Sequence, residues 1–388
     1  MDATSRLAWL DAAALTPVVR SALGRADLAV TTWDCQVVKG EARPDGRLVC
    51  RISGRARTGG RDEVPWSVFL KVPNATHTHR DPWYREPFQR EVLLYESGLL
   101  ADLPGGIAAP RLLGLTRRAD EEPWMWLQDV TGLPALQWPV ERFAHLARQF
   151  GRMQGAFLAG RPLPDLPWLK ADHWLRQQFL AGVEPTALAW ERFCEHPLTR
   201  SLRRSDLGRR LADLWDRRER FLSALEAMPC SLGHGDFNYT NLFAPQEGDP
   251  DQRTFVVDWQ YAGWRQIGRD IAGLIADCSV CVARRKAAEP EEFLALVLPA
   301  WLEGLREAGW DADPDVPRFA CLALLAVPWT FNLLQGLNGA VLSQPVASET
   351  RAGLEEKVGR YVRKQQFLLA LADEAWRILD RGLDLRHG

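Results

Sequence analysis

Residues 234–241 read HGDFNYTN, and residues 254–259 read TFVVDW. A short apolar run precedes the first stretch, and the second is apolar up to Asp258. This pattern predicts two short strands joined by a polar loop, in a region whose other segments have helical spacing. Such a unit can bring Asp236, Asn241 and Asp258 together, so the sequence indicates a site that contains two carboxylates and one carboxamide.

These three side chains have the chemistry that phosphoryl transfer from a nucleotide requires. One carboxylate orients the attacking hydroxyl group and accepts its proton, while a second carboxylate and an amide oxygen hold magnesium against the phosphates. The interval from Asp236 to Asn241 is the D-x-x-x-x-N spacing of a kinase catalytic loop. Each of these residues, taken alone, could equally hold a turn through its own side chain. Their combination in this order is what favours a catalytic site.

A lysine in the first third of the chain offers the cation that a kinase needs. Lys71 lies near the end of the apolar stretch 66–72, and only six of the 48 basic residues are lysines. In kinases a strand lysine reaches the nucleotide phosphates and a helix glutamate holds it. Glu91 is the natural partner, with Glu86 and Glu96 as competitors. An exposed strand lysine and an ordinary helix-surface glutamate are the structural alternative for this pair.

The first third of the chain is rich in strand signals. β-branched and aromatic residues alternate with breakers that contain Gly, Pro and Asp, which predicts an antiparallel meander. Residues 1–25 and 87–103 have apolar residues at helical spacing, so each predicts a helix. The predicted strands cover residues 30–38, 47–56, 66–72, 111–117 and 122–130.

After residue 140 the apolar residues follow helical spacing almost to the end, apart from 230–259. The sequence therefore predicts an α+β fold of two lobes. Residues 1–131 form a small antiparallel β lobe with one key helix, which binds the nucleotide. Residues 132–388 form a large, mainly helical lobe for catalysis and substrate binding. We expect the oxygen-bearing side chains and the lysine ammonium to share a cleft.

Taken together, these motifs resemble those of the aminoglycoside phosphotransferase and choline kinase-like group, small-molecule kinases with a protein-kinase-like fold. The matching positions span about half of the chain, and the lobe order extends the likeness over most of it. They are His234-Gly235-Asp236, Asn241, Val257-Asp258-Trp259, Gly268-Arg269-Asp270-Ile271-Ala272, Lys71 and Glu91.

The resemblance implies an enzyme that uses ATP or GTP with Mg²⁺ and moves the γ-phosphoryl group to a hydroxyl group of a small molecule. It implies that Asp236 is the catalytic base and that Asn241 and Asp258 are metal ligands. It also implies that Lys71, held by Glu91, binds the nucleotide phosphates.

Other positions extend or limit the resemblance. Gln128-Asp129-Val130 corresponds to the family's hinge, where backbone groups meet adenine. The first turn holds only Gly40 and Gly46, so the G-x-G-x-x-G loop of protein kinases is missing. Gly235 stands where protein kinases carry arginine, and no Ala-Pro-Glu follows Asp270. A peptide-docking activation segment is therefore not predicted, which favours a small acceptor.

Two alternative functions stay open. The nearer one is a kinase for choline, a sugar or another metabolite instead of an antibiotic. The more distant one is a non-catalytic nucleotide-binding protein that kept the fold. Among the 17 tryptophans, five follow the catalytic loop and could contact an ammonium group, although core packing is favoured for most of them: Trp259, Trp264, Trp301, Trp310 and Trp329. We interpret His234 as structural and Asp270 as a helix cap or loop support.

Composition and charge restrict the class of protein. A net charge of −2 over 388 residues excludes a wholly basic surface for nucleic acid. Seven irregularly spaced cysteines, among them the pair Cys278 and Cys281, favour a reducing cytoplasm over a disulfide framework. Residues 319–348 carry no charge, but the polar residues after Pro328 favour buried helices over a membrane span. We therefore expect a cytoplasmic protein without nucleic-acid or membrane partners.

Overall fold

The computed structural model describes residues 7–39, 48–59, 62–72, 87–117, 123–170, 175, 186–197, 199–245, 252–280, 288–337 and 351–383. The chain divides into two compact units. The first consists of Met1–Leu103, Ala108–Leu133 and Phe243–Tyr261, and the second of Pro104–Ile107, Pro134–Leu242 and Ala262–Gly388. Several residues considered above lie outside the described residues: Gly40, Gly46, Glu86 and Cys281.

The first unit is built on a five-stranded sheet in the order β1-β2-β3-β6-β5. Each neighbouring pair in it is antiparallel, as predicted. Inward-facing residues alternate along β2, where Cys50 and Ile52 are fully buried, because successive side chains of a strand point to opposite faces. The strands of the protein are β1 (Ala29–Lys39), β2 (Leu48–Arg57), β3 (Glu63–Val72), β4 (Ile107–Ala108), β5 (Leu112–Arg117), β6 (Pro123–Gln128), β7 (Leu133–Pro134), β8 (Cys230–Gly233), β9 (Leu242–Ala244), β10 (Thr254–Val256) and β11 (Gly263–Gln266).

Helix α1 (Ala12–Leu23) closes one face of this sheet. The Asp11 side chain accepts a hydrogen bond from the Ala14 N–H at 2.7 Å, and Gly24 ends the helix with φ at +65°. Leu15 and Val19 are fully buried in the same apolar core as the inner residues of β2. The helix predicted within residues 1–25 is therefore an amphipathic helix that packs against the sheet of the first unit.

Helix α2 spans Pro87–Glu96 and is shorter than the predicted helix over 87–103. Gly98 has φ at +76°, a left-handed conformation that an α-helix does not accommodate, and a separate 3₁₀ turn follows at Leu99–Ala101. The prediction of one continuous helix was therefore wrong. The apolar residues keep helical spacing beyond Glu96, but the left-handed conformation of Gly98 interrupts the helix.

The second unit is mainly helical, and two of its helices, α3 (Glu141–Leu158) and α8 (Pro290–Glu307), pack closely. Gly151 of α3 lies against α8, where an added Cβ would come within 2.3 Å of the Trp301 carbonyl oxygen. The remaining helices are α3 (Glu141–Leu158), α4 (Pro167–Lys170), α5 (Thr186–Glu195), α6 (Asp206–Glu226), α7 (Arg269–Ile275), α8 (Pro290–Glu307), α9 (Asp315–Leu337) and α10 (Arg351–Arg381).

Helix α9 contains most of the uncharged stretch. Its segment Asp315–Leu334 is long and apolar enough to pass a test for a membrane span, with a mean hydropathy of 1.4. However, 78% of its most apolar window is buried inside the protein, and Phe319, Leu322 and Leu325 have no exposed surface. This burial is that of a core helix.

Candidate active site

Lys71 lies in β3, paired with Met125 of β6, and its side chain is only 10% exposed. Its Nζ donates to the Glu91 carboxylate and, at 2.5 Å, to Oδ1 of Asp258, which lies 187 residues further along the chain. Of the competing glutamates, Glu96 pairs instead with Arg117 at 2.9 Å. The ammonium is therefore held between two carboxylates inside the first unit.

The electrostatics of this cluster follow from its burial. Burial alone would lower the pKa of Lys71, but the charges of Asp258 and Glu91 outweigh it and hold that pKa above its ordinary value. Burial raises the pKa of Glu91, and the charge of Asp258 adds to this effect while Lys71 opposes it. Two carboxylates against one ammonium leave an excess of negative charge, which suits a further cation.

Asp258 follows β10 in an unusual backbone conformation. Its φ is +68°, and it is the one non-glycine residue with a positive φ in the described part of the chain. The left-handed region is sparsely populated for residues with a Cβ, although aspartate enters it more readily than most. The next residue fixes the turn, because the Trp259 N–H donates to Oε1 of Glu91 at 3.1 Å and its ring is fully buried.

The hinge-like residues Gln128, Asp129 and Val130 begin at the last residue of β6. Gln128 pairs with Val68 of β3 and donates its N–H to the Arg111 carbonyl at 2.9 Å. Asp129 accepts from Arg51 at 2.7 Å through Nε and at 2.6 Å through Nη2. The Ser67 hydroxyl also donates to Asp129. The Asp129 side chain thus ties the chain after β6 to β3, through Ser67, and to β2, through Arg51.

In the second unit, Asp236 lies in the loop that follows β8, which pairs with β11. Its carboxylate accepts from the Asn238 amide at 2.7 Å and from Asn241 Nδ2 at 3.0 Å, one bond to each oxygen. The Asn241 amide nitrogen also donates to the Asp236 carbonyl, at 2.9 Å. Two amides therefore hold the half-buried carboxylate in one orientation, and the nitrogen of Asn241 points inward to it.

Asp270, at the start of α7, supports the same loop. Its Oδ1 accepts from the Gly235 N–H at 2.8 Å and its Oδ2 from the His234 N–H at 3.2 Å. His234 is fully buried, and its Nδ1 accepts from the Asp236 N–H at 3.3 Å. Gly233 permits this arrangement, since a Cβ there would lie 2.6 Å from Asp270 Oδ2. Asp270 and His234 are thus in structural contact with the loop.

The side-chain oxygens of Asn241 and Asp258, which were predicted to be metal ligands, have suitable chemistry. Because the Asn241 nitrogen donates to Asp236, the amide oxygen is not used in those bonds. The Asp258 side chain is 15% exposed and carries two acceptor oxygens. The Asp258 carboxylate, in the first unit, and the Asn241 amide oxygen, in the second, are each hard ligands of the kind that Mg²⁺ prefers. Among the described residues no group of three or more His, Cys, Asp or Glu could hold a metal ion by itself.

Three side chains that hold predicted site residues in place were not predicted from the sequence. Asn238 lies inside the quoted motif but was given no role, although its position two residues after Asp236 is that of an Asx turn. Arg51 and Ser67 contact Asp129 across the sheet. No local signal identifies these two, because the contact depends on strand register. Trp259 and Trp301 are fully buried, as the core interpretation predicted for most tryptophans.

No family model matches the sequence, and no curated protein matches it. An aminoglycoside phosphotransferase from Alicyclobacillus acidocaldarius matches the structure with a TM-score of 0.53 and 14% identity, over 92% of this chain and 96% of its own.

Two further solved structures are similar to this chain at lower scores. An amicoumacin kinase solved with AMP-PNP and Ca²⁺ has 16% identity over 86% of this chain and 88% of its own, with a TM-score of 0.46. The GDP complex of aminoglycoside 2'-phosphotransferase-IIIa has 14% identity over 92% and 99%, with a TM-score of 0.45. The predicted α+β class and family resemblance are confirmed as a matter of fold: this chain has the protein-kinase-like fold of the aminoglycoside phosphotransferases.

Proposed function

We propose that the protein is a phosphotransferase that moves the γ-phosphoryl group of ATP or GTP to a hydroxyl group of a small molecule. The observation that carries the proposal is the buried ammonium of Lys71 between Glu91 and Asp258, three residues that are far apart in the chain. A stable core does not need this cluster, because burying three charges costs solvation energy that apolar residues of similar volume would not. Such a buried charged cluster is typical of a site that binds charged phosphates.

The first unit has the groups for the nucleotide. Lys71, protonated at neutral pH because its pKa is raised by the two carboxylates, would bind phosphate oxygens, and Glu91 would position it. The backbone of Gln128, Asp129 and Val130 would contact the base. The side chain of Asp129 is already occupied by Arg51 and Ser67, which favours recognition through backbone groups.

The second unit has the group for proton transfer. Asp236 would accept the proton of the acceptor hydroxyl as its oxygen bonds to the γ-phosphorus, while the bond from that phosphorus to the bridging oxygen of the diphosphate breaks. The amides of Asn238 and Asn241 keep the carboxylate oriented, which supports catalysis by positioning.

The proposed metal ligands are Asn241 and Asp258. Mg²⁺ would supply positive charge that neutralises the phosphates as the bond to the leaving diphosphate lengthens. The cysteine pattern favours the cytoplasm as the place of the reaction. A small-molecule acceptor, without nucleic-acid or membrane partners, completes the proposal.

A variant pair tests the assignment of Asp236. We expect Asp236→Asn to lower transfer by about 10²- to 10⁴-fold, the usual contribution of a positioned base, because the amide cannot accept the proton. ADP release is measured over a panel of hydroxyl compounds, and Mg²⁺-dependent nucleotide binding is measured by calorimetry. Binding is expected to be kept in Asp236→Asn and lost in Asp258→Asn.

Asp311→Asn, an exposed position in the second unit, is the matched control and should behave as wild type. Equal transfer by wild type and Asp236→Asn would overturn the catalytic role. Nucleotide binding without transfer to any acceptor in the panel would instead indicate the non-catalytic alternative.

A further inference from the structure

Tyr95 carries a polar group that is buried close to the charged cluster of the first unit. It lies on α2 four residues after Glu91, so the two side chains share one face of the helix. Tyr95 is 9% exposed and Glu91 is 1% exposed. Both residues belong to the first unit, as do Lys71 and Asp258. The phenol is therefore a neighbour of the candidate site, although no role was predicted for it from the sequence.

The Tyr95 hydroxyl has no hydrogen-bond partner within the described part of the chain, although its oxygen is buried. The two oxygens of the Glu91 carboxylate accept instead from Lys71 and from the Trp259 N–H. A buried hydroxyl without a partner lowers stability, and most such groups in native proteins are bonded to protein or to ordered water. Phenylalanine would bury the same ring without this cost. The hydroxyl therefore needs a partner that the described residues do not supply.

The charges around Tyr95 keep its hydroxyl protonated. Burial raises the pKa of Tyr95 well above its ordinary value, and the negative charges of Glu91 and Asp258 raise it further. A protonated phenol can donate one hydrogen bond and can also accept one, and it adds no charge to the cluster. The effect of Asp258 on this pKa means that Tyr95 lies within electrostatic reach of the carboxylate that is proposed to hold the metal.

We propose that Tyr95 is a further binding residue of the nucleotide site and that its hydroxyl forms a hydrogen bond with an oxygen atom that arrives with Mg²⁺ and the nucleotide. That oxygen belongs either to a metal-bound water, which would donate to the phenol, or to a phosphate, which would accept from it. The inference rests on the proposed function, because that function brings metal and nucleotide to Asp258 and Lys71.

Removal of the hydroxyl alone tests this inference, because Tyr95→Phe keeps the ring. Two measurements on the full-length protein should move in opposite directions. The midpoint of thermal unfolding without metal or nucleotide should rise by about 1–4 °C, because the variant no longer buries an unpaired polar group. The affinity for AMP-PNP with Mg²⁺, measured by calorimetry, should fall by about tenfold, the value of one hydrogen bond. A hydroxyl with only a structural role would not separate stability from affinity in this way.

Tyr361→Phe, in α10 of the second unit, is the matched control. Tyr361 is 1% exposed, and its hydroxyl accepts from Gln365 Nε2 at 3.2 Å. Because this buried hydroxyl has a partner, its removal should lower the unfolding midpoint. The affinity for AMP-PNP with Mg²⁺ should stay that of the wild type.

Separate titrations identify which oxygen contacts Tyr95. Mn²⁺ alone is titrated by electron paramagnetic resonance, and AMP-PNP alone is titrated by calorimetry in the presence of EDTA. Weaker binding of Mn²⁺ alone by Tyr95→Phe would identify a metal-bound water as the partner. Weaker binding of AMP-PNP alone would identify a phosphate oxygen. Either result would support the inference.

Two results would overturn the inference and leave the proposed function intact. One is wild-type affinity of Tyr95→Phe for AMP-PNP with Mg²⁺. The other is a lowered unfolding midpoint in Tyr95→Phe, which would assign the hydroxyl to a structural water, the usual partner of buried polar groups that the chain does not satisfy. If the wild type itself bound no AMP-PNP with Mg²⁺, the proposed function would fail, and this inference would fail with it.

Discussion

Lys71 is one positive charge against two carboxylates, and little of any of the three side chains reaches solvent. Removing one member of such a buried group leaves the others without a counter-charge. We expect Lys71→Met to destabilise the protein by about 3–5 kcal/mol, the usual cost of breaking a buried ion pair from one side. Denaturant unfolding measures this loss, and Arg306→Met at an exposed position of α8 serves as the control.

The same variant has a pH dependence of known sign. Burial raises the pKa of Glu91, and Lys71 is the group that opposes this rise, so the variant should have a still higher pKa at Glu91. A group whose folded pKa is raised contributes stability that is present at low pH and lost as the pH rises through that pKa. The loss caused by Lys71→Met should therefore be smaller at about pH 5 than at about pH 8. An equal loss at both pH values would contradict the electrostatic account.

Helices α3 and α8 meet through glycines, so their separation is set by backbone atoms. A Cβ at Gly304 would lie 2.2 Å from the Arg148 carbonyl oxygen, and the contact is reciprocated by Gly151 against Trp301. We expect Gly304→Ala to destabilise the protein by about 1–3 kcal/mol, because neither backbone can move without separating the helices. Thermal unfolding measures the effect.

Gly359→Ala in α10 is the matched control for this close approach. There an added Cβ would meet only the end of the Arg363 side chain, at 3.7 Å. Alanine should stabilise the helix by about 0.5–1 kcal/mol because it has the higher helix propensity. If both substitutions had the same sign, helix packing would not explain the glycine at 304.

The grouping of Phe243–Tyr261 with the first unit has a consequence for nucleotide binding. Within the first unit, the Trp259 N–H of this segment donates to Glu91 of α2. We expect Mg²⁺ with AMP-PNP to slow amide hydrogen exchange in β6, in α2 and in residues 254–261 together. Exchange in Lys71→Met should not respond to the nucleotide. Protection confined to the second unit would contradict this division of roles.

Much of the fold and one contact of the candidate site could be predicted from the sequence, as particular residues show. The meander was predicted because β-branched residues alternate between glycine-containing turns, and each of its strands lies within a few residues of the expected position. Glu91 was named as the partner of Lys71 from helix placement, and the structure brings the two into contact. The end of α2 was misplaced because the conformation of Gly98 is not visible in apolar spacing.

The sequence alone determined the class of fold and the set of candidate oxygen and nitrogen groups, because periodicity and residue type are local properties of a chain. Tertiary structure decided which of these groups touch. The contacts of Asp129 with Arg51 and of Lys71 with Asp258 join residues 78 and 187 positions apart. They depend on strand register and on chain reversal, and the energy that selects these arrangements comes from burial of the whole core.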